Sequence, residues 1–188
     1  MASNPVFVDD KQSIIFFIFP HYWLKVVYFM YIKEICKVKS SKRVLTKDFK
    51  KEGIPFLRGS DFINWKNKNK NQFNFFISKE HFNKLIKITG KPKKGDLFIT
   101  GDGTIGNVFY LKEQIDFYFK DGVIWLKDFK KNINSKFVYY YLETPKNKNK
   151  LISLSIGSVI PHLTTEVVRN AFIKDFTLKA QQHIVNII

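Results

Sequence analysis

Cysteine is almost missing from this chain of 188 residues, with Cys36 standing alone. A single thiol builds neither a disulfide framework nor a thiolate zinc site, and it points to a reducing, cytoplasmic setting. The four histidines, at 21, 81, 162 and 183, show no close-ligand spacing, so no metal or other cofactor is expected. Several catalytic signatures are absent as well. No Gly-Lys-Ser/Thr succeeds a glycine-rich turn, which excludes a P-loop, and there is no Gly-x-Ser-x-Gly nucleophile turn. An amino-methyltransferase would need an Asn/Asp-Pro-Pro-aromatic run, and none occurs. Asp48-Phe49-Lys50 and Asp128-Phe129-Lys130 spell the acid-x-Lys half of a metal-dependent nuclease, but no Pro-Asp pair precedes either.

Acids are scarce too: 16 against 32 bases, a net charge of +16. Nearly all the bases are lysine, the arginines being only Arg43, Arg58 and Arg169. Between Lys33 and Lys94 stand 18 bases and 5 acids, a net +13 in one third of the chain. An AT-rich genome accounts for part of this lysine content, but not for its concentration. Such a field attracts polyanions: nucleic acid, anionic lipid or acidic protein. The remaining composition, 45% hydrophobic with 20 phenylalanines, is that of a folded domain.

One apolar run stands out, Ile14 to Ile32, interrupted by Pro20, His21 and Lys25. It approaches the length of a membrane span but lacks the flanks of a signal peptide. Three readings of residues 1–30 stay open: a buried strand pair broken at Pro20, a membrane-associated segment, or an extension foreign to the domain.

Further on, the chain alternates between turn signals and short apolar runs. Residues 53–62 read as turn, strand, turn, and 64–72 as a polar basic loop. Ser78 caps a helix carrying Phe82, Leu85 and Ile86 at helical spacing. Four strands come next in "DLFIT", "NVFYL", "IDFYF" and "GVIWLK". A helix is expected over 135–144, capped by Ser135 and stopping before Pro145. Then come loop, short helix and turn to Pro161, a helix over 164–172, and a last helix beginning near the end of the chain. No internal repeat is present. The fold class expected is α/β (α+β): one small, twisted, mostly antiparallel sheet flanked by helices.

"GDGTIG", residues 101–106, spells the dinucleotide-binding glycine pattern. That fingerprint needs a helix to open at its third glycine, with amides aimed at the pyrophosphate. Gly106 leads instead into "NVFYL", which is β-branched and aromatic. Asp121 lies near the expected acidic position, but in a strand-rich run it carries little weight. The glycines are those of a tight hairpin turn, where positive φ favours residues without a Cβ.

The order of the pieces then becomes informative. "IPFLRGSDF" precedes a helix, and after it come "KPKKGDLFITGDGTIGNVFYL", "GSVIPHLTTEVVRNAFI" and "LKAQQHIVNI". This order resembles the DNA specificity domain of type I restriction–modification systems, the target recognition domain of the specificity subunit, over residues 31–188. The matching residues are Gly95 and Asp96 after Lys94, Gly103, Thr104 and Gly106 in the glycine turn, and Gly157, Ser158 and Pro161 with Leu163. Of the closing pattern, Leu178, Gln181 and Ile184 fit, whereas Phe176-Thr177 replaces a proline pair and Ala180 a glutamate.

The resemblance implies a non-catalytic subunit that recognises double-stranded DNA. Methylation and cleavage would belong to partner methyltransferase (M) and restriction (R) subunits. It divides the chain into the extension 1–30, a target recognition domain 31–178, and the start of a spacer helix 179–188. One such domain is half of a full specificity subunit, and a half can pair with a second copy of itself or another half-subunit.

From the residues, two segments are candidates for DNA contact. Lys37, Lys39, Ser40, Ser41, Lys42 and Arg43 offer cations and hydroxyl donors to phosphates. Asn64, Asn67, Asn69, Asn71 and Gln72 suit bidentate pairing with adenine, with Lys66, Lys68 and Lys70 reaching phosphate or guanine. The competing readings are an exposed basic turn and a solvated polar loop. Arg58 is placed either on DNA or against Asp61 within the fold.

Overall fold

The computed structural model describes residues 6–8, 13–15, 26–68, 73–157 and 161–188. The chain opens with strands β1 (Val6–Val8), β2 (Ser13–Ile15) and β3 (Val26–Tyr31), a helical turn α1 (Ile32–Ile35), and β4 (Lys37–Ser40). A 3-10 turn at Thr46–Asp48 leads into β5 (Phe49–Lys50) and β6 (Ile54–Leu57), succeeded by α2 (Gly59–Lys68), β7 (Phe76–Ile77) and α3 (Lys79–Thr89). Then come β8 (Leu97–Thr100), β9 (Val108–Tyr110), β10 (Tyr118–Phe119) and β11 (Val123–Lys127). The last part is mostly helical: α4 (Ser135–Glu143), α5 (Pro145–Ser153), α6 (Thr165–Arg169), β12 (Phe172–Lys174) and α7 (Leu178–Ile187).

The mixed, mostly antiparallel α/β architecture is as expected, but among the described residues the strands form three four-stranded sheets rather than one. The central sheet runs β4-β11-β8-β9, all antiparallel. Its two middle strands are buried on both faces, so their period-2 side chains feed two separate cores. Leu97, Ile99, Ile124 and Leu126 point into the larger, aliphatic core with Ile32, Ile35, Val138 and Val168. Phe98, Val123 and Trp125 point the other way, into a mainly aromatic core with Phe62, Phe109, Phe117 and Phe119. There Phe98 stacks on Phe62 at 4.9 Å and meets Phe117 and Phe119 edge-on at 5.4 and 5.2 Å. Five phenylalanines are thus gathered in one dense cluster.

The second sheet, β10-β6-β7-β5, is antiparallel except for the parallel pair β6–β10, and its core gathers Phe56, Ile77, Phe82, Leu85 and Tyr118. The third, β1-β2-β3-β12, pairs the N-terminal strands with one near the end of the chain. Phe172↔Tyr31, Ile173↔Met30 and Lys174↔Phe29 are its register partners. This pairing ends the expected 164–172 helix early. α6 stops at Arg169, Asn170 caps it, and the next residues take strand geometry because a partner strand is available. Of the apolar run 14–32, residues 16–25 lie outside the described residues, while its last part is β3. Among the described residues no helix is long and apolar enough to cross a membrane.

Smaller differences reflect local chemistry. The α4 cap is Asn134, one residue before Ser135, and its carboxamide oxygen accepts from Lys136 and Phe137 N–H. Residues 147–150, expected as loop, belong to the first half of α5. Pro145 stands at the first helical position, where its missing N–H costs nothing, and Leu151 anchors the helix in the core. Ser78 caps α3 as expected, its Oγ accepting from His81 N–H at 3.1 Å.

Candidate nucleic-acid interface

The glycine run is a hairpin turn: β8 and β9 pair antiparallel on either side of it. Gly103 and Gly106 take positive φ of 68° and 77°, and Gly106 N–H donates to Thr100 O at 2.8 Å. Inside the turn, the Thr104 carbonyl accepts from Asn107 Nδ2 at 2.8 Å and from the Thr100 hydroxyl. Gly101 has a different task. Its N–H donates to Gly122 O at 2.9 Å, and its carbonyl accepts from Leu163 N–H at 2.9 Å. A Cβ there would lie 2.5 Å from Leu163 O and 2.7 Å from Gly122 O. Three chain segments distant in sequence are stitched together at this glycine because it has no side chain.

Each stitched segment delivers polar groups to one place. Asp102 comes directly after Gly101, Lys120 and Asp121 precede Gly122, and His162 precedes Leu163. Asp102 Oδ1 lies 2.9 Å from His162 Nδ1, and its other oxygen 3.8 Å from Lys120 Nζ. A carboxylate only accepts, so Nδ1 carries the proton, and in the neutral imidazole Nε2 is the acceptor. The His162 backbone is pinned by paired hydrogen bonds with Ile156, at 2.8 and 2.9 Å. Next to that bridge stand Gly157, at φ 106°, and exposed Pro161, while Ser158 lies outside the described residues.

These groups line an open cleft of about 800 Å³, together with Arg43, Thr46, Arg58, Phe75 and Thr164. A second hollow, of about 410 Å³, shares Arg58, Asp102, Lys120 and Gly122 with it and adds Gly59, Ser60, Gly103 and Thr104. Arg58 therefore sits where both meet. Its backbone N–H donates to Asp61 Oδ2 at 2.7 Å, its Nε lies 3.5 Å from the same oxygen, and its guanidinium carbon sits 4.2 Å over the Phe75 ring.

The expected contact residues are placed unevenly. Lys37 and Lys39 alternate with buried Val38 along the edge strand β4, and both are exposed, as are Lys42 and Arg43 in the turn beyond. Lys37 is engaged with Asp128 at 3.1 Å, which with Lys127 holds that carboxyl below its ordinary range despite partial desolvation. Ser40 and Ser41 are not free phosphate donors here. The Ser40 hydroxyl donates to backbone carbonyls of Asp121 and Val123, and the Ser41 hydroxyl to Phe119 O at 2.6 Å, fastening β4 to its neighbours.

The expected loop 64–72 begins as helix, since α2 extends through Lys68. Asn64 and Asn67 are exposed three residues apart on that helix. Lys66 turns inward, pairing with Glu143, donating to Val108 O at 3.2 Å and lying 5.5 Å from the Tyr139 ring centroid, so it joins α2 to α4. Of Lys68 only the helical backbone is described, and Asn69, Lys70, Asn71 and Gln72 lie outside the described residues.

Lys94-Gly95-Asp96 is an internal brace. Gly95 takes φ 91°, and Asp96 is buried, with Oδ2 accepting from Lys93 N–H at 2.8 Å and from the Trp125 indole at 2.9 Å. Burial raises the Asp96 pKa against those hydrogen bonds. Burial likewise pushes the Cys36 thiol up to about 12, which leaves it inert as a nucleophile. Asp48 and Asp128 join no group of three or more metal-ligating side chains among the described residues. The contact readings from sequence did not name Asp102, Lys120, Gly122 or His162. Their signal was adjacency to glycines and to the "GSVIPHL" run, which shows only once the turns are seen to meet.

A model of the type I restriction modification DNA specificity domain matches residues 26–188. A Haemophilus influenzae protein assigned as a type I restriction enzyme specificity subunit is 24% identical over 156 residues, covering 82% of this chain and 37% of its own length. The chain thus spans little over a third of that relative. Among solved structures, the specificity subunit of a Mycoplasma genitalium type I system superposes with a TM-score of 0.59 at 15% identity, over 86% of this chain and 37% of that one. The HsdS subunit of Thermoanaerobacter tengcongensis gives 0.63 at 17% identity, over 86% and 36%. At such identities the structures speak for a shared fold, and the sequence model, spanning nearly the whole chain, decides the family: this chain belongs to the type I restriction modification DNA specificity domains.

Proposed function

We propose that the chain binds double-stranded DNA sequence-specifically, as a target recognition domain within a type I restriction–modification complex. The observation that carries this reading is the convergence of family-like turns on one open cleft walled by Arg43, Arg58 and Lys120. With a net charge of +16, the surrounding surface supplies affinity for any duplex, and the cleft and the exposed face of α2 supply the side chains that choose among sequences. Lys39, Lys42 and Arg43 contact phosphates in this reading, and Asn64 and Asn67 face base edges. The chain itself is a non-catalytic, cytoplasmic recognition subunit without a cofactor. Methylation and cleavage reside in M and R subunits that it directs. Residues 31–178 form the recognition domain and 179–188 begin a spacer helix, docked through Gln181, whose side chain bonds Asn134 N, Asn132 O and Phe176 O. A second copy, or another half-subunit, completes the assembly.

The test is selection of binding sites from a random duplex library at near-physiological salt, with and without a cognate methyltransferase subunit. Enrichment of a defined motif is the expected result. Affinity that collapses with rising salt and enriches nothing in either condition refutes sequence-specific recognition and leaves only a basic surface.

A further inference from the structure

We propose that Arg58 is a specificity-determining residue that reads a guanine in the major groove, an inference that rests on the DNA-binding reading above. The first ground is the distribution of cations. Arginine occurs three times in a chain whose other bases are all lysine, yet Arg43 and Arg58 both line the cleft, joined among the described residues by a single lysine, Lys120. Lysine is a point charge on a flexible stem, whereas arginine is a planar fork of fixed donors. A cleft that needed only positive charge would have no reason to depart from the residue used everywhere else.

The second ground is how Arg58 is held. The Phe75 ring covers one face of the guanidinium at 4.2 Å, and Nε faces the Asp61 carboxylate at 3.5 Å. Asp61 is itself buried and immobilised by the Arg58 backbone N–H at 2.7 Å. Plane and rotation are therefore both set, while the side chain stays 44% exposed. Among the described residues neither Nη has a hydrogen-bond partner, so the terminal edge of the fork is left to the cleft.

The third ground separates base from phosphate. The Asp61 carboxylate, 3.5 Å from Nε, offsets part of the arginine's charge, which weakens its pull on a phosphate. That offset leaves the two Nη–H donors and their spacing intact. An oriented, charge-compensated pair of parallel donors suits guanine, whose O6 and N7 form the matching pair of acceptors. Phosphate anchoring falls instead to Arg43, which has no acidic partner among the described residues.

The experiment is site selection with the full chain as wild type, Arg58→Lys and Arg58→Ala, each checked by thermal melting. The wild-type motif is expected to hold a guanine at which both variants lose about 5- to 150-fold of discrimination, the other positions keeping theirs. Replacing that guanine with 7-deazaguanine, which lacks the N7 acceptor, should weaken wild type and leave Arg58→Ala indifferent. Uniform weakening across all sequences, with the salt slope reduced by about one, makes Arg58 a phosphate contact and overturns the proposal. An unchanged motif in a folded variant, or loss of folding in both variants, assigns Arg58 to structure alone and also overturns it. A wild-type chain that enriches no motif refutes the underlying DNA-recognition reading instead, a result recognisable before any variant is compared.

Discussion

Gly101 and Gly103 look equivalent in the sequence, and the structure separates them sharply. Alanine at 101 places a methyl carbon 2.5 Å from Leu163 O and 2.7 Å from Gly122 O, both backbone atoms that move only with their segments. Relief requires lengthening the bonds Gly101 N–Gly122 O and Leu163 N–Gly101 O, both 2.9 Å. Overpacking of this kind costs about 1–3 kcal/mol, and each weakened buried hydrogen bond about 1 kcal/mol. The total, about 3–5 kcal/mol, corresponds to a fall in Tm of roughly 6–20 °C for a chain of this size. Alanine at 103 meets nothing within 4 Å and suffers only its φ of 68°, a cost of about 1–2 kcal/mol. Thermal and urea denaturation of Gly101→Ala and Gly103→Ala, with wild type alongside, tests the ranking. Gly101→Ala should be the less stable and should also weaken DNA binding, because its clash opens the seams that hold Asp102, Lys120 and His162 together. A variant at 103 as damaging as that at 101, or a neutral one at 101, refutes the reasoning that Gly101 is the seam of the cleft.

The buried and paired charges give further expectations. The Asp96 pKa is raised in the fold above its unfolded value of about 3.9, so the folded state holds the proton more tightly and stability declines as pH climbs through that window. Asp96→Asn can keep both hydrogen bonds on one oxygen and should flatten this decline, whereas Asp96→Ala orphans the Trp125 indole and should cost about 1–3 kcal/mol in urea melts. For Asp116, hydrogen bonds and charges from Lys91 and Lys79 lower the pKa. Its contribution is present above about pH 3.9 and is lost as pH falls through the depressed value; a Lys91→Met variant should lose less stability over that acid range. Lys66→Ala should lower Tm, since it strips the Glu143 carboxylate of its cation and leaves it only the Val108 N–H, whereas Lys42→Ala should leave Tm alone, weaken every duplex alike and reduce the salt slope by about 0.9. Asn67→Ala should instead change the selected motif, and equal effects of the Lys42 and Asn67 variants on all duplexes would refute that division.

Local chemistry in the sequence was enough to settle several features. The capping serine and apolar spacing of α3 marked a helix, β-branched and aromatic runs marked β8 and β11, and the strand-like residues after Gly106 marked a hairpin rather than a nucleotide site. Each depends on backbone preferences within a few residues. The order of the turn motifs was sufficient to suggest the family. Tertiary structure decided the rest. Whether 172–174 would be helix or strand depended on β3, far away at the other end of the chain, offering hydrogen bonds. Whether Ser40, Ser41 and Lys66 would face a ligand or the protein depended on carbonyls and a carboxylate brought in from distant segments. The cleft obeys the same logic. Asp102, Lys120 and His162 carry no shared pattern along the chain, and they meet only because Gly101, lacking a side chain, lets three turns close to hydrogen-bonding distance.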